Sequence, residues 1–302
     1  MTKLSKLTVN DIHDMTEICR LGMRLDEWYE DLVKEKTTGA RDYEPELGLI
    51  AEVEGEAAGF AQGVVGEVRG ELRGFIRLLA VHPKWRGLGV GRELLLEMEK
   101  RLIARNVKAI SIMDVPANYY MPGVDVRYKE AFCFLEKHGY KRGAPNINLI
   151  CDVRPGMFDC REDINRAKKQ GFEIRRAVKS DWDGVEKFLK TNWACWIEEA
   201  RSSFLNDPIT MFICIHENEV VGFCGYEGNN RGLGWFGPMG VSPVTRGKGV
   251  GAIVCKLCLE EIARLGHEKA IIPWVGPVRF YDKVCNADMD RTFWTFLKKI
   301  DS

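Results

Sequence analysis

The chain repeats itself. Residues 81–91 read Val-His-Pro-Lys-Trp-Arg-Gly-Leu-Gly-Val-Gly, and residues 241–251 read Val-Ser-Pro-Val-Thr-Arg-Gly-Lys-Gly-Val-Gly. Seven of these 11 positions are identical, and Arg86 and Arg246 stand 160 residues apart. Such a match between distant segments marks a duplicated domain. At roughly 150 residues per domain, two copies account for all 302 residues.

The surroundings of the two segments agree. Phe75-Ile76-Arg77-Leu78-Leu79-Ala80-Val81 precedes the first and reads as a strand. Leu94, Leu95, Met98 and Leu102 follow at helical spacing. Trp235 to Val241 precedes the second segment, and Ile253, Val254, Leu257, Cys258 and Ile262 follow it on one helical face. Asn10-Asp11 and Ser180-Asp181 each open an amphipathic stretch with a capping residue. Leu47–Ala61 and Ile209–Tyr226 each read as a hairpin, turning at Glu54-Gly55-Glu56 and Glu217-Asn218-Glu219. Apolar patterning thins over 151–171, which places the expected boundary between a first domain, 1–155, and a second, 156–302.

A strand running through Arg-Gly-X-Gly-X-Gly into a helix gathers backbone N–H groups at a helix N-terminus. That makes a cradle for a pyrophosphate. The segment lacks the Lys-Ser/Thr ending of a nucleoside-triphosphate loop. Its Gly-X-Gly-X-Gly spacing is not the Gly-X-Gly-X-X-Gly of a dinucleotide fold, and about 75 residues precede it in each half. A tight turn without a ligand is the plain alternative. Recurrence of the same arginine and three glycines argues against it.

Arg86-Gly87-Leu88-Gly89-Val90-Gly91 and Arg246-Gly247-Lys248-Gly249-Val250-Gly251 resemble the acetyl-CoA loop of the GNAT superfamily, Arg/Gln-X-X-Gly-X-Gly/Ala. The preceding Val-X-Pro is similar to the family's fourth strand and its exit. The resemblance covers nearly the whole chain. It implies an α/β fold of two tandem GNAT domains, each a mixed, mostly antiparallel, splayed sheet flanked by helices. It also implies acetyl-CoA as co-substrate, held by Met239, Val241, Arg246, Gly247, Lys248, Gly249, Val250, Gly251 and Ala252 in the second half. In the first half Val81, Arg86, Gly87, Gly89 and Gly91 would do the same.

Acetyl transfer needs an acid for the departing thiolate and a route for the ammonium proton. The resemblance places the acid on a tyrosine within Ala-X-X-Phe-Tyr-X-Lys-X-Gly-Phe. The second half offers Arg279-Phe280-Tyr281-Asp282-Lys283-Val284-Cys285, with Cys285 in place of the glycine. The first half has Phe134-Leu135-Glu136-Lys137-His138-Gly139, with Leu135 at the tyrosine position. Catalysis is therefore expected in the second half, with Tyr281 as acid. Without its motif, a tyrosine is more often simply packed. Glu227, after the run Val220–Tyr226, is the expected base, with Asp282, Glu198 and Glu199 as alternatives. Carboxylates at such positions are more often solvated surface groups, and a water chain could also carry the proton.

The remaining features limit partners. The 44 basic and 44 acidic side chains cancel, which gives no support for a general nucleic-acid or membrane-surface binder. Ten cysteines, several inside apolar runs such as Phe132-Cys133-Phe134 and Ile213-Cys214-Ile215, fit a reducing compartment. With no apolar leader over the first 15 residues and no run of ~18 apolar residues, the expected place is the cytoplasm. Cys255-X-X-Cys258 reads as a buried helix face, and the five histidines form no ligand cluster, so no metal is expected. The expected acceptor is a small-molecule primary amine. A protein or peptide amine and a non-catalytic acyl-CoA sensor are the rivals. The stretches Phe236–Val241, Ala270–Pro277 and Phe280-Tyr281 are similar to tandem GNAT proteins of amino-sugar recycling. That resemblance implies glucosamine, stacked on Trp193, Trp196 or Trp274.

Overall fold

The computed structural model describes residues 2–300. It forms two compact units. The first comprises the chain up to Asn146 together with the chain from Thr292, and the second runs from Ile147 to Arg291.

In the first unit, strand β1 (Lys3–Lys6) leads to helices α1 (Ile12–Gly22) and α2 (Glu30–Lys36). Strands β2 (Gly48–Val53), β3 (Glu56–Val68) and β4 (Glu71–Val81) follow, then helix α3 (Val90–Ile103). Strands β5 (Ala109–Ile112) and β6 (Val124–Asp125), and helix α4 (Lys129–Lys137), complete its first stretch. Strand β7 (Lys141–Asp152) crosses the boundary, and helix α5 (Arg161–Lys169) lies wholly in the second unit. There strand β8 (Phe172–Arg176) precedes helices α6 (Trp182–Asn192) and α7 (Ile197–Phe204). Strands β9 (Met211–His216), β10 (Glu219–Tyr226) and β11 (Phe236–Val241) come next. Helix α8 (Val250–Arg264), strand β12 (Lys269–Ile272) and helix α9 (Val278–Cys285) lead to strand β13 (Asp288–Lys299).

Both sheets splay at the same point. In the first unit β1 to β4 pair antiparallel in order. Strand β5 pairs parallel with β4 only from Arg73↔Ala109 to Ile76↔Ile112, so the rest of β4 stands open. In the second unit β8, β9, β10 and β11 pair antiparallel. Strand β12 meets the start of β11 at one parallel bridge, Trp235↔Ile271, and then departs.

The expected single boundary after residue 155 is replaced by an exchange of strands. From Ile147 onward β7 belongs to the second unit, where Leu149–Asp152 pair with Ile272–Lys269 of β12. From Thr292 onward β13 belongs to the first unit, pairing with β5 and β6. Each repeat thus hands its last strand to the other copy's sheet. Local patterning cannot reveal this, because a strand's apolar residues do not specify which sheet it joins.

Each unit closes its own core. Leu94, Leu95, Met98 and Leu102 of α3 pack with Ile76, Ile110 and Phe296. Ile253, Val254, Cys258 and Ile262 of α8 pack with Cys224, Phe236, Ile272 and Tyr281. The other face of the second sheet, at Phe223, is covered by Phe188 and Leu189 of α6 and by Trp193 and Trp196 in the turn before α7.

Candidate active site

The two glycine loops have matching backbones. Gly89 (φ 91°) caps α3 and Gly249 (φ 76°) caps α8, both left-handed. That region disfavours any residue with a Cβ. Gly87 and Gly247 are left-handed as well, at φ 78° and 71°. A Cβ at Gly247 or Gly249 would meet nothing within 4 Å, so the concave side of the loop is open. The first N–H groups of each helix have no partner within it. Gly91 lies in the first turn of α3 against Phe134, and Gly251 in the first turn of α8 against Phe280 and Met239. Val81, Val241, Met239 and Ala252 are half-buried, whereas Arg246, Gly247 and Lys248 are exposed and Val250 is buried.

Their charges differ. Arg86 is tied down: its guanidinium donates to the carbonyls of Gly22 at 2.8 Å and Val81 at 3.3 Å. Among the described residues Arg246 makes no such bond. Helix α3 carries Glu93 in its first turn, while α8 carries no acid there. A helix N-terminus favours anions most when no carboxylate competes. The second loop is therefore the stronger pyrophosphate cradle.

Between splay and loop lies a bulge. In the first unit Gln62↔Leu78 and Gly63↔Ile76 leave Arg77 unpaired on β4. In the second, Cys224↔Met239 and Tyr226↔Phe236 leave Gly237 and Pro238 unpaired on β11. Arg77 and Gly237 are the same position in the 160-residue frame. Arg77 is fully buried, donates to the Lys36 carbonyl at 3.3 Å and forms an ion pair with Asp42. Beside it Lys36, also buried, reaches Glu35 and Asn118 at 2.8 Å each, and Trp28 stacks on Tyr120 at 4.1 Å. The first unit's cleft wall is thus filled by its own side chains. At Gly237 an added Cβ would meet nothing within 4 Å.

Tyr281 packs against the start of β11. Its ring packs edge-on against Phe236 at 5.8 Å and Phe280 at 5.0 Å. Only 8% of the residue is exposed, and burial pushes the phenol well above its usual range, so it stays protonated at neutral pH. Phe134 and Phe280 occupy equivalent places against Gly91 and Gly251, which puts buried Leu135 where Tyr281 stands. The glycine correspondence changes, however. The left-handed residue ending α4 is Gly139, and the one ending α9 is Asn286, because α9 runs two residues further. Cys285 lies inside the helix and replaces no cap.

Glu227 is held by its own loop. One carboxylate oxygen accepts the Gly232 N–H. The other accepts the Trp235 N–H at 2.9 Å and lies 3.9 Å from His267 Nε2. Burial raises its pKa and the loop N–H groups oppose that rise. Both oxygens are therefore committed to closing the β10–β11 turn, where Glu227 itself is left-handed at φ 50°. Of the alternatives, Glu198 is exposed beside Arg201 and Glu199 is buried on α7. Cys255 and Cys258 are buried on α8 as expected for a core face. No cluster of three or more metal-ligating side chains occurs among the described residues. Trp193 and Trp196 stack on each other at 5.2 Å, and a Cβ at Gly240 would overlap the Trp193 ring, so that ring lies flat on β11.

The acetyltransferase (GNAT) family model matches residues 9–121 and 172–286, one match per repeat and more than half of the chain. The chain belongs to the GNAT family. Among curated relatives, an acetyltransferase of Sodalis glossinidius is 40% identical over 72 residues, 24% of this chain and 48% of that protein. One of Pectobacterium atrosepticum is 42% identical over 72 residues, with the same shares. The chain thus spans about half the length of the curated relatives it matches. Among solved structures, one is the GCN5-related glucosamine N-acetyltransferase region of a fungal multi-domain GH3 β-N-acetylglucosaminidase. It superposes with TM-score 0.80 at 17% identity, over 98% of this chain and 38% of that one. A tandem GNAT protein from the clavulanic acid biosynthesis pathway superposes with TM-score 0.69 at 14% identity, over 100% and 99%. A GCN5-related N-acetyltransferase from Sphaerobacter thermophilus gives 0.69 at 17%, over 100% and 96%. At these identities the likeness is one of fold, and it is the tandem GNAT fold.

Sequence reasoning missed the bulge pair Arg77 and Gly237. The signal was available: extending the repeat frame four residues upstream from Val81 aligns a charged residue with a glycine inside otherwise apolar strands.

Proposed function

We propose that the second unit transfers an acetyl group from acetyl-CoA to a primary amine of a small molecule. The observation that carries this reading is an open glycine loop on the copy that also has room at Gly237 and a buried tyrosine, Tyr281, against Phe236. Acetyl-CoA supplies the activated acetyl thioester. The loop fits its pyrophosphate through the free N–H groups at the start of α8 and the charges of Arg246 and Lys248. Met239, Val241 and Ala252 flank the path from loop to bulge. Tyr281 donates its proton to the departing sulfur, a role suited to a phenol that burial keeps protonated. Glu227 serves as a positioning residue that holds the turn before β11. Proton removal from the amine then falls to water or to another group. In the first unit Val81, Arg86, Gly87, Gly89 and Gly91 form a weaker cradle beneath a filled cleft.

For the acceptor we favour an amino sugar. The support is the glucosamine N-acetyltransferase region among the structural neighbours. The ten free cysteines fit a cytoplasmic setting. The test compares kcat/KM for glucosamine, spermidine and a lysine peptide with acetyl-CoA, reading released thiol. Glucosamine should lead by at least about tenfold, the discrimination one good stacking contact provides. Preference for the peptide would move the reading to protein acetylation. Cofactor binding without transfer to any amine would leave a sensor.

A further inference from the structure

Trp274 lies two residues past the end of β12, and its backbone is left-handed at φ 49°. A bulky side chain rarely adopts that region. At 39% exposure the residue is not held there to fill a core. Such strain persists only where the surroundings impose it. Here β7 imposes it. Asn148, fully buried, accepts the Trp274 N–H on Oδ1 at 3.0 Å, and the Ile147 carbonyl accepts the Val275 N–H at 2.9 Å. Both acceptors stand just before Leu149, where the β7–β12 ladder begins.

The place is the splay of the second sheet. Strands β11 and β12 pair at Trp235↔Ile271. Three residues further along, β11 has reached Pro238 in the bulge, and the chain leaving β12 has reached Trp274. Helix α9, which carries Tyr281, starts four residues later at Val278. The first copy is built otherwise. In the 160-residue frame Trp274 matches Asp114, which has one carboxyl oxygen sealed from solvent, and the left-handed residue there is Met113. Among the described residues Trp274 is the one exposed tryptophan. Trp193 and Trp196 stack on each other and pack on the core beneath α6, and Trp235 is fully buried.

We propose that Trp274 is the platform on which the acceptor's ring stacks, and that Asn148 is the positioning residue that holds it at the splay. This rests on the reading of the second unit as the transferring one, and it specifies the acceptor as a primary amine carried on a ring with an apolar face. A hexosamine is such an amine. The indole offers a flat apolar surface to that face, which an open-chain amine cannot match. Strand β7 ends the first repeat and pairs in the second unit, so the first repeat supplies the residue that sets the second unit's acceptor wall.

The test uses the full chain with saturating acetyl-CoA and reads released thiol for glucosamine and for butylamine, which carry the same charge. Trp274→Gly suits the left-handed backbone and removes the platform. The glucosamine KM should rise, and the ratio of kcat/KM for glucosamine to that for butylamine should fall, by about tenfold, the scale of one stacked ring. The KM for acetyl-CoA should not change. Asn148→Ala should raise the glucosamine KM by about fivefold, the scale of one neutral hydrogen bond. It should add nothing in the Trp274→Gly background, because a residue that acts through the indole has no effect without it. An unchanged glucosamine KM in Trp274→Gly, or an equal loss for butylamine, overturns the platform. An Asn148→Ala effect that survives without the indole overturns the positioning role. Trp274→Leu, which keeps apolar bulk without a flat face, is read in the same way if the glycine variant folds poorly. If the parent does not acetylate glucosamine, the amino-sugar reading fails on its own. Cyclohexylmethylamine, a ring without hydroxyls, then takes its place, and an unchanged KM for it in Trp274→Gly overturns the platform. If the parent acetylates no amine, the transfer reading fails, and calorimetry of glucosamine with the CoA-loaded chain decides. Weaker binding to Trp274→Gly than to the parent supports the platform, and equal binding or none to either rejects it.

Discussion

Arg77 and Gly237 hold one position in two copies of the same strand. In the first unit a buried guanidinium bonds to the Lys36 carbonyl and Asp42 and fills the wall beside the splay. In the second there is no side chain at that position, and the preceding Phe236 packs against Tyr281. The loops follow suit: a pinned Arg86 with Glu93 nearby, against an Arg246 whose guanidinium has no hydrogen bond among the described residues, with Lys248 beside it. Duplication preserved the backbone that makes a GNAT domain. Three side-chain changes, at the bulge, the loop and the late helix, separate a filled copy from an open one.

The hardest blow to this contrast is at the acid. Tyr281→Phe keeps the ring against Phe236 and removes only the proton, so kcat should fall by about 10²-fold with acetyl-CoA binding retained. Leu135→Tyr should restore nothing, because Arg77 still fills the neighbouring wall. Near-parental turnover in Tyr281→Phe would mean that the contrast between units is one of packing alone.

Next in size is the loop. Valine at a left-handed position costs roughly 1–3 kcal/mol of strain and crowds the cradle. Gly249→Val should weaken acetyl-CoA binding, measured by calorimetry on the full chain, by about tenfold or more. Gly89→Val imposes the same strain in the first unit and should leave kcat/KM within about twofold. Equal losses from the two variants would show two working sites.

The smallest effect sharpens the comparison at the strand ends. Asp114 follows β5 where Trp274 follows β12. One of its carboxyl oxygens is sealed without a hydrogen-bond partner, and burial raises its pKa to about 6. An acid raised in the folded state, from about 3.9 when unfolded, adds stability below pH 4 that is lost as pH rises through 6. The loss at pH 7 is of the order of 2–3 kcal/mol. Asp114→Asn should raise Tm by a few degrees at pH 7 and leave it unchanged at pH 4. A gain at both pH values would assign the effect to packing instead of charge.

Much of this was legible in the chain. The paired strand–loop–helix segments, the hairpins and the αL glycines depend on residues adjacent in sequence, and Tyr281 opposite Leu135 followed from one motif. Glu227 ends an apolar run, which makes it a candidate base in the chain alone. Its hydrogen bonds come from Gly232 and Trp235, whose N–H groups turn back onto it. Cys255-X-X-Cys258 was rightly a buried face, but its neighbours Cys151 and Cys285 come from distant strands and helices.

The sequence by itself determined that there are two GNAT domains, where their loops lie and which copy has the tyrosine, since hydrophobic period and backbone sterics act over a few residues. Tertiary structure decided that β7 and β13 trade places, that Arg77 closes one cleft, and that Asn148 of β7 accepts the Trp274 N–H. Those outcomes depend on which distant surfaces meet, and a strand's alternating face or a lone buried side chain is compatible with many partners until the packed core selects one.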